Sequence, residues 1–365
     1  MGAGDPVYLD HNATTPVLPE VVDAMLPYLR EHFGNPSSAH AYGRHASVAV
    51  ARARIQVAAL LGCDADEVVF TSGGTEANNL AIHGVIEAGI DRRGIVTTTI
   101  EHPATEQPCA WMERHGRTVT RIPADNEGRV RVEDARTAID SDTALVTVMH
   151  SNNETGVLQP VEEIAQLAHQ WGAIVHSDAA QSVGKIALNV RTLEIDLLSV
   201  AGHKLYAPKG VGALYIRRGT LLAPFALGAG HERGLRPGTE NVASIVGLGK
   251  ACEIAARDLD EVAAGIRQLR DRLWQGLVSA VPGIRLNGHR SLRLPNTLNV
   301  RFPDVGGNAI LGGAPEIAAS TGSACHAGSE SDSVRLTLGR GTTHGDIDIA
   351  VAALARAWRA RPAHE

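Results

Sequence analysis

Cys325 stands in surroundings that suit chemistry better than structure. It lies in TGSACHAGSESDS (321–333), among small and polar residues, whereas a structural thiol usually has apolar neighbours. The segment therefore predicts a thiol that a reactant can reach, or that moves towards one.

Lys204 is the sharpest single feature of the chain. It lies in AGHKLYAPKG, after an apolar stretch, in a sequence that has lysine only at positions 185, 204, 209 and 250. A lysine held in a pocket has a depressed pKa and forms a Schiff base with an aldehyde cofactor. A surface lysine is the simpler alternative, since lysine is mostly exposed.

Asp178, in HSDAAQS, could serve the same kind of cofactor. Pyridoxal phosphate needs an acid opposite its ring nitrogen, because a positively charged ring is the better electron sink. Asp178 also follows an apolar, strand-like stretch, as Lys204 does. Taken alone, an aspartate in this place is more often a helix N-cap.

The stretch SGGTEANNL (72–80) has the pattern of a strand, a glycine turn and a helix start. Gly73 and Gly74 allow the backbone to come close to a ligand. Thr75 adds a hydroxyl at a helix N-terminus, where phosphate is favoured. A purely structural turn explains the same letters, and no GK[ST] follows that would make a P-loop.

Four further residues complete a possible site when they are taken together. His102 in EHPA and His203 beside Lys204 suit ring stacking and phosphate contact, although a lone histidine is usually structural. Asn153 and Arg340 suit a substrate carboxylate, because arginine offers a bidentate fork. Each has an ordinary explanation alone, but the whole set indicates a site.

These residues need a scaffold that brings the ends of strands together. Short β-branched runs alternate with helical stretches, which favours an α/β fold with a largely parallel sheet. Ligand sites in such open sheets lie at the carboxyl ends of the strands. The predicted helices cover 49–62, 161–172 and about 250–280, and the predicted strands cover 67–71, 94–100, 144–149, 173–177, 195–200 and 212–216.

Composition limits the possible classes of protein. The 365 residues allow more than one domain, and a net charge of −6 without a basic run argues against direct nucleic-acid binding. The four cysteines show no CxxC spacing, so we expect no metal site and no disulfide scaffold. Without a signal-like or membrane-spanning apolar segment, we expect a cytoplasmic protein that does not contact membranes.

Ten stretches, in order over nearly the whole chain, resemble one known family. They are YLDHNATTP, FGNPSSAHAYGR, TSGGTEANNLAI, EHPA, NNETGVLQP, DAAQSVGK, GHKLYAPKGVGALYIR, GHERGLRPGTENV, TGSACHAG and LGRGTT. The resemblance is to the cysteine desulfurases of the NifS/IscS type. Several of these stretches are long enough to be specific by themselves.

The resemblance implies an α/β fold, that of a fold-type I pyridoxal-phosphate enzyme of the class V aminotransferase group. Its large domain would span 16–255, contain a mostly parallel central sheet and bind the cofactor. A smaller α+β domain would combine 1–15 with 256–365 and carry the loop of Cys325. The family forms homodimers whose active sites lie at the interface.

The resemblance also implies roles around pyridoxal 5′-phosphate. Lys204 would form the Schiff base and then move protons, and His102 would stack on the ring and take part in proton transfer. Asp178 would pair with the ring nitrogen. The other matched cofactor contacts are Gln181 at the ring hydroxyl, Gly74, Thr75 and His203 near the phosphate, and Thr239 reaching in from the other subunit.

Substrate and sulfur positions follow from the same match. Asn153 and Arg340 match substrate-binding positions, and Cys325 matches the nucleophile. The implied reaction converts L-cysteine into L-alanine and leaves a persulfide on Cys325. A sulfur-acceptor protein would take the sulfur onward, for iron–sulfur clusters, tRNA thiolation or DNA phosphorothioation.

Two departures from the family pattern lead to separate expectations. Ala201 stands where the family usually has a serine, so one hydroxyl contact to phosphate is lost and weaker cofactor binding is expected. The segment from Cys325 to VRLTLGR is short, which restricts how far the thiol travels. Two alternatives stay open: a selenocysteine lyase on the same scaffold, and a sulfur-delivery partner with little turnover of its own.

Overall fold

A seven-stranded sheet forms the centre of the computed structural model, which describes residues 4–89, 91–322 and 333–360. Strand β1 (Val7–Tyr8) belongs to a smaller sheet. The central strands are β2 (Val68–Thr71), β3 (Gly94–Thr98), β4 (Thr118–Ile122), β5 (Thr143–Thr147), β6 (Ile174–Asp178), β7 (Leu197–Ala201) and β8 (Gly212–Ile216). Their order is β2-β8-β7-β6-β5-β3-β4. The predicted α/β class is confirmed.

The direction of the strands decides where a site forms. Strand β8 runs antiparallel to both its neighbours, and the other pairings are parallel. The carboxyl ends of β2, β3, β5, β6 and β7 therefore meet at one edge of the sheet. The residues of β5, β7 and β8 are buried throughout, as expected for a sheet that is covered on both faces.

Helices cover both faces of this sheet. They are α1 (Pro19–Arg30), α2 (Ala41–Leu61), α3 (Gly74–Glu87), α4 (Pro103–Arg114), α5 (Val132–Ala138), α6 (Val161–Gln170) and the start of α7 (Val242–Ala280). One apolar cluster joins the sheet to α2, α6 and α7, and another joins its opposite face to α3 and α4. The site edge thus rests on a sheet held rigidly from two sides.

A separate apolar cluster lies in the C-terminal part of the chain. There β9 (Arg285–Leu286), β10 (Thr297–Arg301) and β12 (Ser333–Thr337) form an antiparallel sheet, and β1 pairs in parallel with β11 (Ile317–Ala318). Helices α8 (Gly307–Gly312) and α9 (His344–Arg359) pack against this sheet. Leu9 is fully buried in the same cluster, so the N-terminal segment packs with the C-terminal part.

Most predicted elements are confirmed with small shifts in their ends. The helix expected at about 250–280 is α7, which begins earlier and runs for 39 residues, with the Asn241 side chain accepting a hydrogen bond from Ser244 N at its start. Sequence reasoning missed β4, because TVTRI alternates exposed and half-buried residues and lacks the apolar run that marks the inner strands. Within the described residues, we find no helix both long and apolar enough to cross a membrane.

Candidate active site

A cavity of about 260 Å³ opens at the edge where the carboxyl ends of the strands meet. It gathers residues that lie far apart in the sequence, as the strand-end argument predicts. Eight of the residues predicted for the site line it: Gly74, Thr75, His102, Asn153, Asp178, Gln181, His203 and Lys204. The geometry thus places most of the predicted site in one space.

Asp178 is the last residue of β6 and is only 7% exposed. Its Oδ2 accepts a hydrogen bond from Asn78 Nδ2 at 2.7 Å, and its Oδ1 accepts one from Ala180 N at 2.9 Å. These two donors fix the carboxylate plane. The cavity therefore contains a buried acid whose orientation is set by its neighbours.

The start of α3 forms another wall of the cavity. Its N-cap Gly73 has φ +152° and offers no capping side chain. A Cβ on Gly74 would lie 3.2 Å from the Cβ of Ala201. The small residues thus leave open a helix N-terminus, which favours an anion.

Lys204 and His203 lie in a short 3₁₀ turn, Gly202–Lys204, directly after β7. The carbonyl oxygen of His203 accepts hydrogen bonds from the backbone N and Oγ1 of Thr15, at 2.9 and 3.0 Å. Burial and the nearby Lys204 lower the pKa of His203 to about 4. His203 is therefore neutral at physiological pH, and the N-terminal segment holds the turn in place.

His102 is the N-cap of α4, and its Nδ1 accepts a hydrogen bond from Ala104 N at 3.1 Å. In the neutral ring this leaves the hydrogen on Nε2. The preceding Glu101 is half-buried with its Oε2 fully enclosed, and its Oε1 accepts from Thr98 Oγ1 and from Met149 N, both at 2.8 Å. Burial raises the pKa of Glu101 to about 8. Glu101 thus ties the loop of His102 to the end of β5.

Asn12 and Arg335 line the cavity although the sequence did not predict them. Asn12 Nδ2 donates to the carbonyl oxygen of Asn153 at 3.2 Å, and Arg335 Nη1 donates to the same oxygen at 3.1 Å. Arg335 is 2% exposed and pairs with Asp10 at 2.8 Å. A signal was present in SVRLT, because Val334 and Leu336 are both buried and an arginine between them needs an anionic partner.

Two predicted residues lie elsewhere in the described structure. Arg340 is not among the residues that line the cavity, and its Nη1 pairs with Asp258 at 3.1 Å. Its backbone N donates to the Tyr206 hydroxyl at 2.8 Å. Thr239 is exposed and also lies outside the cavity lining of this single chain. Cys325, with the short segment after it, lies outside the described residues.

Comparisons with known proteins agree with this geometry. The family model described as aminotransferase class-V matches residues 7–349. "Cysteine desulfurase 2" of Trichormus variabilis is 48% identical over 94% of this chain and 90% of its own length. A solved "NifS-like protein" superposes with a TM-score of 0.91 at 36% identity, covering 96% of this chain and 98% of its own. The structure "SspA in complex with cysteine" superposes with a TM-score of 0.81 at 32% identity, covering 92% and 99%.

The chain belongs to the class V aminotransferase family. It is similar over 94% of its length to proteins named cysteine desulfurase. The cofactor of this family is pyridoxal 5′-phosphate.

The residues present in the cavity fit that cofactor. Gln181 is 3% exposed, and its Nε2 donates one hydrogen to the carbonyl oxygen of Asn12 at 3.0 Å. Its second Nε2 hydrogen has no partner among the residues that the structure describes, so a donor is available for an oxygen of the ring. With a buried acid, a lysine and an open helix N-terminus in the same space, the cavity has a group for each polar part of the cofactor.

Proposed function

We propose that this protein is a pyridoxal-phosphate-dependent cysteine desulfurase. It converts L-cysteine into L-alanine and leaves the sulfur as a persulfide on Cys325. The observation that carries the proposal is the convergence of Lys204 and Asp178 in one cavity beside the open start of α3. The similar proteins named cysteine desulfurase, and a structural relative titled as a complex with cysteine, support the choice of substrate.

Each cofactor contact is proposed from a residue that lines the cavity. When bound, the cofactor supplies an electron sink for the pair left at the substrate Cα after its proton leaves. Asp178 would face the ring nitrogen and Gln181 the ring hydroxyl. Gly74, Thr75 and His203 would hold the phosphate, and His102 would stack on the ring. Lys204 would bind the cofactor covalently and carry the Cα proton.

The substrate carboxylate is better assigned to Arg335 than to Arg340. Arg335 is among the residues that line the cavity, and its Nη1 donates to the Asn153 carbonyl oxygen, whereas Arg340 is outside the lining and pairs with Asp258. Arg335 Nε is buried and has no partner among the described residues. An arginine fork matches a carboxylate in geometry and charge. We therefore propose Asn153 and Arg335 as the pair that orients L-cysteine.

Sulfur transfer is assigned to Cys325. Its thiolate attacks the substrate sulfur, so that an S–S bond forms while the substrate C–S bond breaks. The electron pair of that bond stays with the carbon, which takes up a proton and leaves as L-alanine. The thiolate is the reactive form, so a base must remove the thiol proton. His102 is the proposed base, and it takes the proton at Nδ1 when the contact with Ala104 N is released. The persulfide then passes to a sulfur-acceptor protein.

The remaining expectations about organisation are part of the same proposal. A large domain of 16–255 and a small domain of 1–15 with 256–365 are supported by apolar clusters that divide near those limits. Thr239 is proposed to reach the site of a second subunit in a homodimer, which its exposure allows. Cys63, Cys109 and Cys252 are unpaired, which supports a reducing, cytoplasmic location.

Alanine release tests the proposal directly. Purified wild type and Cys325→Ala are given L-cysteine, with and without a thiol reductant, and L-alanine is measured. We expect alanine from wild type, sustained turnover only with the reductant, and none from the variant. Equal turnover by both proteins, or none by either, would contradict the role of Cys325 and would favour a selenocysteine lyase or a partner-dependent role.

A further inference from the structure

Lys185 is not among the residues that line the cavity, but it contacts two residues that are. Lys185 follows Gln181 by four residues. The two are joined by a turn in which the Lys185 backbone N donates to the carbonyl oxygen of Ser182 at 3.0 Å. Lys185 Nζ donates to Gln181 Oε1 at 2.9 Å and to Asn12 Oδ1 at 3.0 Å. Lys185 thus contacts two side-chain amides beside the cavity.

These contacts determine which way the Gln181 carboxamide faces. Its oxygen accepts from Lys185 and its nitrogen donates to the backbone oxygen of Asn12 at 3.0 Å. A rotation by half a turn would set N–H against the Lys185 amine and oxygen against the Asn12 carbonyl. Both contacts would then be lost, so Lys185 fixes the carboxamide with its remaining N–H available to the cavity that Gln181 lines.

The second acceptor of Lys185 is itself held in place. Asn12 is 1% exposed, and its Oδ1 also accepts from Asn296 Nδ2 at 3.0 Å. Its Nδ2 donates to Thr297 Oγ1 at 3.0 Å. Because Asn12 cannot turn without breaking these bonds, the amine of Lys185 is held between two rigid oxygens.

The electrostatic surroundings make a lysine costly at this position. Burial lowers the pKa of Lys185 well below its ordinary value, and the nearby positive charges of Lys204 and Arg335 lower it further. His11 and His203 also face Lys185, and the pKa of each is lowered to about 4. An apolar side chain would avoid this cost, so the amine is there for its hydrogen bonds.

We propose that Lys185 is a positioning residue that holds the Gln181 carboxamide with its N–H directed at an oxygen anion in the cavity, the ring oxygen of the cofactor. The inference rests on the proposed function, because it takes Gln181 as the contact of that oxygen. A donor at this place stabilises the anionic oxygen. It thereby lowers the pH at which the bound cofactor loses its proton.

Visible absorbance of the purified holoenzyme against pH measures this proton loss without any turnover. For Lys185→Met we expect the pH midpoint to rise by about one unit, because a hydrogen bond to a charged group is lost. Gln181→Leu should give a similar rise. The double variant should shift no further than Gln181→Leu alone, since Lys185 acts through that side chain. The charged or titratable groups around the cavity, which all variants keep, are Asp178, Lys204, His102, His203 and Arg335.

Lys250→Met is the matched control. Lys250 pairs with Glu253 on the surface of α7, so the same substitution there should leave the midpoint within about 0.2 units of wild type. A Lys185→Met midpoint equal to that of the control, with cofactor retained, would overturn the proposal. Additive shifts in the double variant would overturn it too, because Lys185 would then act by its charge alone.

Failure of the proposed cofactor binding, the part of the proposed function on which this inference rests, gives a different result. Wild type would then show no absorbance from a bound cofactor, whatever residue stands at 185. If Lys185→Met does not fold, as judged by circular dichroism, Lys185→Arg tests instead whether a donor at this position is enough to keep the midpoint of wild type. It keeps the charge and the N–H donors, so its midpoint should stay near wild type, and a shift as large as that of Gln181→Leu would contradict the proposal.

Discussion

The cavity has two kinds of wall, and they are built in different ways. One wall consists of residues at the carboxyl ends of central strands: Asp178 closes β6, Lys204 follows β7 and His102 follows β3. A second wall, called the far wall below, consists of Asn12 and Arg335, which are brought together from distant parts of the chain. The first wall is local to one sheet, and the second depends on long-range packing.

The difference assigns different tasks to the two walls. The strand-end groups sit on a sheet that is covered on both faces, and they comprise the acid, the lysine and the open helix start. The far wall is a network of side-chain amides and a buried arginine, fixed by Thr337, Asp10 and the carbonyl of Asn153. We therefore expect residues of the first wall to take part in the reaction and residues of the second to orient the substrate.

The largest effect should come from the strand-end lysine. Lys204→Ala should lower kcat for alanine release from L-cysteine by about 10³-fold, because it removes both the covalent anchor and the group that moves the proton. Lys209→Ala, at an exposed lysine close by, should change kcat less than twofold by the exposed-site rule. Comparable losses in both variants would break the distinction between the walls.

Arg335 and Arg340 give the sharpest test of the far wall. Arg335→Met should raise KM for L-cysteine by about 10²-fold, with a smaller change in kcat, because a charge pair with the carboxylate is lost. Arg340→Met removes only a partly buried pair with Asp258, so its KM should stay within about threefold. Steady-state kinetics on holoenzyme with equal cofactor content decides between the two arginines. A larger rise in KM for Arg340→Met than for Arg335→Met would assign the substrate carboxylate to Arg340.

Glu101 tests how the strand-end wall is held. Burial raises its pKa to about 8 from an ordinary value of 4.5. The native state therefore keeps a proton that the unfolded chain has lost, and stability falls as pH rises between these values. Glu101→Gln has no such proton, so a rise from pH 5 to pH 8 should destabilise it less than wild type. The free energy of unfolding of the variant minus that of wild type should therefore increase by about 2–4 kcal/mol over this range.

Urea unfolding at the two pH values measures this gain. Glu106→Gln is the control, because Glu106 lies close by in the first turn of α4 but pairs with Arg121 and is a third exposed. Its pH profile should run parallel to that of wild type. A parallel profile for Glu101→Gln as well would mean that Glu101 is not protonated in the native state.

The smallest effect concerns the helix start. Ala201→Ser should tighten cofactor binding by about tenfold, because the new hydroxyl offers one hydrogen bond to a charged phosphate. The Cβ of Ala201 already lies close to Gly74, so the change adds a donor to the wall without moving the backbone. Equilibrium dialysis of the cofactor against both proteins measures the ratio, and unchanged or weaker binding would mean that the phosphate lies elsewhere.

Sequence alone predicted the strand-end wall because that wall follows from local pattern. An apolar run followed by polar letters marks the end of a strand, and parallel strands end at one edge. Thus Asp178, Lys204 and His102 can be assigned to this edge without knowledge of the sheet order. The cavity lining agrees with these positions, although their catalytic roles stay predictions until the variants are measured.

The far wall could not be predicted in the same way. Asn12 reaches the cavity only because β1 pairs with β11 and its own backbone N donates to Thr337 Oγ1 at 3.0 Å. No short-range pattern encodes such pairing. Arg335 and Arg340 are five positions apart, but Arg335 lies within β12, paired with Asn299 of β10, whereas Arg340 lies beyond the end of that strand. The resemblance selected Arg340, and the packing favours Arg335.

The bond between Asn12 and Thr337 spans 325 residues of sequence, and this has a consequence for synthesis. A ribosome makes the strand-end wall early and adds about 5–20 residues per second. The central sheet can thus assemble while the far wall still lacks its arginine. The cofactor contacts proposed above all precede this arginine in the chain, so they can be in place during translation, whereas the proposed carboxylate site is complete only once Arg335 has been made.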